Sequence, residues 1–180
     1  MAEQSRRPWR LVQRPAPDNA NVWSNYNEYQ AEAGFLSFFE ADFRNALLND
    51  TITVAKNTVT DGGGSEQITR KVRLLTETEV GLGNENGIAE GTKWPLFTDN
   101  NSRLAYPTPE AVSKSEYTTS SLNASSPWYY WLLTPNAGLA YYVRRVHSGG
   151  SLDWDYAYSG NGGVRPALFL APDTLVSDTT

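Results

Sequence analysis

The stretch HSGGSLDWDYAYSGNGG, residues 147–163, contains no Lys, no Glu and almost no aliphatic side chain. Within it, WDYAYS alternates strictly. Trp154, Tyr156 and Tyr158 fall on one face and Asp155, Ala157 and Ser159 on the other, the period-two pattern of a β-strand. Ser148-Gly149-Gly150 precedes the alternation and Asn161-Gly162-Gly163 follows it, and such clusters mark turns. The segment therefore reads as a strand between two turns. Its neighbours frame it. PWYYWLLTP (127–135) is a compact aromatic strand, and LAYYVRRV (139–146) carries a strand through Ala140–Val146. GVRPALFLAP (163–172) is a closing apolar strand in which Pro166 points to an edge or a bulge.

Upstream, GFLSFFEADFRNALLND (34–50) sets Phe35, Leu36, Phe39, Phe43 and Leu47 at helical spacing, with a Ser37/Glu40 capping box and a stop at Asn49-Asp50. This stripe is core. TITVAKNTVT (51–60) reads as a strand or extended edge that runs into the turn DGGGSEQ. TRKVRLLTETEVGLG (69–83) predicts a strand around Val72–Leu75 and a helical turn capped by Thr76. Glu77 and Glu79 open that turn, where the helix dipole favours them, and their expected role is structural rather than catalytic. Residues 84–127 are loop-rich, with one short helix over Thr108–Ser113 and Pro109 in its first turn. Residues 1–30 form an arm carrying Trp9 and Trp23 as anchors or as packing groups, residues 31–172 the domain, and residues 173–180 a frayed tail.

Composition narrows the function. The chain has 180 residues, one domain's worth, and 12% aromatics, too many for a disordered chain. The net charge of -5 argues against a protein that binds nucleic acid by neutralising phosphates. No cysteine is present, which removes disulfides, thiolate metal sites and cysteine nucleophiles. His147 is the one histidine, so a multi-histidine metal site is excluded. The start, MAEQSRRPWRLVQRPAP, has no apolar h-region and predicts no secretion signal. No apolar run reaches membrane-spanning length, so membrane insertion is not expected.

No Lys or Glu follows Glu116, and six of the ten tyrosines lie at or after Tyr129. Tyr, Trp and Arg set among Ser, Gly, Asn and Asp are the materials of a contact surface. Rigid amphipathic rings supply area and small polar groups supply adaptable hydrogen bonds. The expected ligand-contacting residues are Tyr142, Arg145, His147, Asp153, Trp154, Asp155, Tyr156, Tyr158 and Asn161. Arg145 and Asp153 are expected to orient the partner, and His147 is an exposed contact or a turn residue. Neighbouring strand residues point to opposite faces, so His147 and Ser148 are badly placed as a base and nucleophile pair. No catalytic residue, metal ligand or cofactor is expected.

The segments YYWLLTP (129–135), AYYVRRVHSGGSLDWDYAY (140–158) and GNGGVRPALFL (160–170) resemble the end of a C-type-lectin-like domain. They are similar to the variable proteins of diversity-generating retroelements and to related domains of bacteria and their phages. In that group a WWLRTP or WLRSP strand precedes a variable segment, and a GVRPAL or GFRLA strand closes the fold. The likeness covers 127–170 and extends upstream through FFEADFRNALLND and RKVRLLTETEVGL. It implies an α+β, C-type-lectin-like fold: a small irregular antiparallel sheet, one or two helices and long loops. Leu133 departs from the pattern, which has Arg there.

In retroelement members, adenines of selected codons, often Asn codons, are mutated. By that route Tyr142, Arg145, His147, Asp153, Asp155, Tyr156 and Tyr158 become exchangeable, whereas Trp cannot arise from an Asn codon, so Trp154 is a constant anchor or part of the frame. Calcium-dependent lectins use EPN-like and WND-like motifs that are missing here, and Asp153 with Asp155 is too small an oxygen cluster for calcium. The similarly folded formylglycine-generating enzymes need cysteine. The resemblance implies a binding protein rather than an enzyme, whose partner is a protein or glycan on another cell or virion. Its expected place is a virion, on a phage tail, or a bacterial surface, with the arm a candidate for homo-oligomerisation. The alternative is a structural virion or cell-surface subunit without diversification.

Overall fold

Six consecutive buried residues, Tyr130–Pro135, form the strand around which the rest is arranged. The computed structural model describes residue 36, residues 39–115 and residues 121–172. In chain order its elements are α1 (Ala41–Ala46), β1 (Asp50–Ala55), β2 (Ser65–Arg70), β3 (Val72–Leu74), α2 (Asn100–Arg103), α3 (Pro109–Lys114), β4 (Tyr130–Pro135), β5 (Tyr142–Val146), β6 (Leu152–Tyr156) and β7 (Pro166–Leu168). The strands make three small antiparallel sheets, β1-β2, β3-β7 and β4-β5-β6. The molecule is thus a small mixed α/β fold of short helices and small antiparallel sheets, compatible with the α+β class. The described residues differ from expectation in two counts: three short helices rather than one or two, and three small sheets rather than one.

Successive side chains of a strand point to opposite faces, and β4 uses both. Trp131 and Leu133 enter one core cluster with Leu47, Ile52, Val54, Val72, Leu74 and Val143. Tyr130 and Leu132 enter a second with Leu75, Val80, Phe97, Val146 and Ala167. This explains the unbroken apolar run in the sequence. Leu133, where the resembling pattern has Arg, lies 3% exposed among apolar side chains; a charge placed there would need a partner.

The β3-β7 ladder sets Val72 opposite Leu168 and Leu74 opposite Pro166. Bridges Leu47↔Leu170 and Tyr130↔Gly163 tie the closing segment to α1's end and to β4. Pro166 is therefore in an edge position of a two-stranded ladder.

α1 is shorter than its apolar spacing predicts. Glu40 is extended (φ -59, ψ 152), so the helix begins at Ala41, and its N-cap makes no side-chain hydrogen bond. Leu47 is likewise drawn out of the helix by its bridge to Leu170. Phe39 and Phe43 still pack together, ring centroids 5.1 Å apart, against the first cluster. Phe35 and Ser37, with the predicted capping box, lie outside the described residues, as do the arm (1–30) and the tail (173–180).

Other local readings match closely. Thr108 Oγ1 accepts from the Ala111 N–H at 3.1 Å and Pro109 opens α3. Thr76 Oγ1 accepts from the Glu79 N–H at 3.1 Å, and Glu79 returns a carboxylate to the Thr76 N–H at 3.0 Å, a reciprocal cap. Of the expected turn DGGGSEQ, only the part through Gly64 connects β1 to β2, with Gly62, Gly63 and Gly64 all at positive φ; Ser65-Glu66-Gln67 instead open β2, where they pair with Thr53–Ala55.

Candidate functional site

The β5-β6 hairpin carries most of the predicted contact residues, and its register sorts them. Tyr142 pairs with Tyr156, Arg144 with Trp154, and Arg145 with Asp153. One face therefore holds Tyr142, Arg144, Trp154 and Tyr156, and the other holds Val143, Arg145, Asp153 and Asp155.

On the second face Arg145 is the hub. Its Nε donates to Asp153 Oδ2 at 2.8 Å, and its Nη1 donates to Asp155 Oδ2 at 2.5 Å and to Asn161 Oδ1 at 3.2 Å. Asn161 Nδ2 donates to the same Asp155 oxygen at 3.1 Å. The guanidinium lies 4.2 Å from the Tyr129 ring centroid, a cation–π contact, and its side chain is only 11% exposed. Four of the nine predicted contact residues are thus joined in one internal network.

On the first face the rings form a continuous row. Tyr142 meets Trp154 edge-on (4.5 Å, 90°) and Tyr156 tilted (4.4 Å, 31°), and Tyr156 stacks on Tyr158 (4.9 Å, 22°). Trp154, Tyr156 and Tyr158 are exposed, and the adjoining Tyr141 is 66% exposed. The Tyr142 phenol is pushed up to about 12, first by its side-chain hydrogen bond with Tyr156, then by desolvation and by the neighbouring phenols and Asp155. The row presents ring surface and hydroxyls.

Arg144 shares this face but its charge is met: Nε donates to Glu85 Oε1 at 2.6 Å and Nη2 to Glu85 Oε2. This bidentate pair was not anticipated. The Arg144-Arg145 dipeptide on an alternating strand was a signal that the two would face apart; nothing in NENG marked Glu85 as the partner.

His147 is a turn residue. Its Nδ1 accepts from the Gly149 N–H at 3.0 Å, which leaves the proton on Nε2, 3.2 Å from the Tyr129 hydroxyl. The imidazole packs edge-on against Tyr129 at 4.8 Å. It fastens the turn to Tyr129, the residue just before β4, whose ring supports Arg145.

β6 is an outer strand of its sheet. The Ala157 N–H donates to Tyr141 O and the His147 N–H to Ser151 O, so the even-numbered residues of β6 turn their backbone groups to the open side. Tyr156 closes its own: its N–H donates to Asp155 Oδ1 at 2.8 Å and its carbonyl accepts from the Ser159 N–H at 2.9 Å. Self-capping of this kind shortens an edge available for strand pairing.

Glu79 has structural partners for its carboxylate, whereas Glu77 is bonded through its backbone and its Oε2 is buried with no hydrogen bond among the described residues. Glu79 clamps Arg73 bidentately at 2.7 and 2.6 Å, and Asp50 takes the Arg73 Nε at 2.6 Å. These groups floor an open cleft of about 340 Å³ walled by Trp94 and Phe169. The Glu77 N–H donates to Thr134 Oγ1 at 2.8 Å, and Thr134 donates to Glu90. Burial, with Glu90 nearby, raises the Glu77 carboxyl above its ordinary range against the opposing pull of Arg144. Among the described residues, no group of three or more His, Asp or Glu side chains lies together to hold a metal ion, and no helix is long and apolar enough to cross a membrane.

No curated protein and no solved structure matches the chain. A family model does, over residues 18–172, which take in every described element from α1 to β7. The chain therefore belongs to the family described as a domain of unknown function, DUF6273.

Proposed function

We propose that this protein is a recognition module of C-type-lectin-like fold, which binds a protein or glycan on another cell or virion through the row Tyr142, Trp154, Tyr156 and Tyr158. It acts by binding rather than by catalysis. The observation that carries the reading is the two-sided hairpin: an exposed, contiguous aromatic face backed by a charge network that fixes it. Arg145, Asp153, Asp155 and Asn161 serve as positioning residues, with His147 anchoring the turn. Aromatic anchors held rigidly bind at low cost in conformational entropy, which is the design of hot-spot surfaces. Because Arg144 and Arg145 are met by Glu85, Asp153 and Asp155, binding depends only weakly on ionic strength.

The same reading places the protein on a phage tail or a bacterial surface, with the hairpin as the segment diversified by a retroelement. Sibling genes should then differ by adenine-derived changes at the codons of the outward-facing Tyr142, Tyr156 and Tyr158. They should agree across GVRPALFL, and a reverse-transcriptase gene should lie nearby. The direct test is a glycan array and a panel of bacterial surfaces probed with the parent chain and with Tyr156→Ala and Tyr158→Ala chains. Loss of binding with an unchanged melting temperature is expected. Retained binding, or a large drop in melting temperature, overturns the assignment of these rings as contacts.

A further inference from the structure

The sequence contains two Asn-Gly pairs, Asn86-Gly87 and Asn161-Gly162, and the fold treats them differently. Asn is among the chemically labile residues. When glycine follows, no side chain hinders the next backbone nitrogen from reaching the amide carbon. At Asn86 the reaction is disfavoured: the Gly87 N–H donates to Asn84 O at 3.1 Å, and Asn86 Oδ1 is buried with no donor to polarise it. At Asn161 the surroundings differ in three respects. Among the described residues the Gly162 N–H makes no hydrogen bond. Asn161 Oδ1 accepts from the Arg145 guanidinium at 3.2 Å, which draws electron density from the amide carbon. Asn161 Nδ2 rests 3.1 Å from Asp155 Oδ2, a carboxylate able to relay a proton to a departing amine.

We propose that Asn161 is a site of self-catalysed amide loss, promoted by Arg145 and Asp155. The Gly162 nitrogen forms a bond to Asn161 Cγ, the Cγ–Nδ2 bond breaks, and the Gly162 proton passes by way of Asp155 to the leaving group, which departs as ammonia. Water then opens the cyclic imide at either carbonyl to give an aspartate or an isoaspartate and one proton. No oxidant or cofactor takes part. The product sets a third carboxylate beside Asp153 and Asp155 and removes the amide donor to Asp155. The isoaspartate also adds a methylene to the backbone between Asn161, whose carbonyl accepts from Trp128 Nε1 at 2.7 Å, and Gly163, which bridges to Tyr130. Conversion therefore loosens the back of the aromatic hairpin with time.

The test is incubation of the full chain at mildly alkaline pH, native and urea-unfolded, with peptide mapping by mass spectrometry and isoaspartate detection. In the native chain Asn161 is expected to convert at least as fast as in the unfolded chain, while Asn86 converts several-fold more slowly than when unfolded. An Arg145→Lys chain that remains folded should slow conversion at 161 and leave 86 unaffected. Protection of Asn161 equal to that of Asn86 in the native chain overturns the proposal, as does an unchanged rate at 161 in the Arg145→Lys chain.

Discussion

Arg145 and Asp155 face each other diagonally across the β5-β6 hairpin, Nη1 to Oδ2 at 2.5 Å, and Asp153 takes the remaining side of the same guanidinium. One cation thus holds two carboxylates on a single strand, residues that would otherwise repel. The aromatic row on the other face owes its position to this clamp, because Trp154 lies between the two aspartates in sequence and Tyr156 follows the second.

Removal of the clamp should cost more than an ordinary surface substitution. Arg145→Ala leaves Asp153 and Asp155 half-buried and uncompensated, and a loss of about 2–4 kcal/mol is expected, somewhat below that of a fully buried pair. Urea unfolding gives the value. A loss under about 0.5 kcal/mol would show that the network contributes geometry without stability.

Glu77 makes stability depend on pH. Its carboxyl is raised above the ordinary 4.5, chiefly by burial, so the folded chain keeps a proton that the unfolded chain releases. The stabilisation is fully present below pH 4.5 and is lost as pH rises through the folded value. Melting temperatures measured from that pH to neutrality should therefore fall on account of this group, and Glu77→Gln should flatten that part of the profile. A parent profile unchanged by the substitution would refute the assignment.

Tyr142 should ionise above the ordinary range of a phenol. With its phenol at about 12 against an ordinary 10.0, the contribution of its bond with Tyr156 is present below pH 10 and disappears as pH climbs through the higher value. Tyr156→Phe removes the principal cause, so the Tyr142 phenolate should then form at lower pH. Phenolate absorbance of the two chains decides the matter.

Two glycines near the hairpin should respond oppositely to alanine. Gly150 sits at φ +83, and an added methyl would overlap the Asn100 carbonyl. Gly150→Ala should cost at least about 1–3 kcal/mol, from overlap combined with left-handed strain. Gly160 has no positive φ and open space at its Cβ, so Gly160→Ala should be neutral or slightly stabilising. Equal effects in thermal unfolding would mean that the Gly150 turn relaxes freely.

Short-range pattern accounts for what could be read from the sequence alone. The alternation of Trp154 and Tyr156, the Thr108-Pro109 helix start and the Thr76 cap all depend on neighbours a few residues away. Even so, β6 begins earlier, at Leu152, and ends at Tyr156, so that Tyr158 lies in the turn that follows rather than in the expected strand. What escaped depends on register and on distant partners. Arg144 and Arg145 are adjacent and chemically identical, yet one meets Glu85 and the other Asp153 and Asp155. Only the pairing of β5 with β6 and the path of the 84–90 loop separate their fates. The consecutive leucines 132 and 133 carry no periodicity because β4 is covered on both faces. The apolar stripe through Leu47 promised a longer helix, but pairing of Leu47 with Leu170 outweighed local preference.

The ladder between β3 and β7 has a consequence for how the chain is made. Val72 and Leu168 lie about a hundred residues apart, and closing so long a loop precedes any reward from the contacts it brings. During synthesis the residues of β3, Leu47 and Tyr130 wait for partners that emerge after them. The nascent chain should therefore remain sensitive to protease until the segment through Leu170 has emerged, and then acquire resistance in one late step rather than gradually.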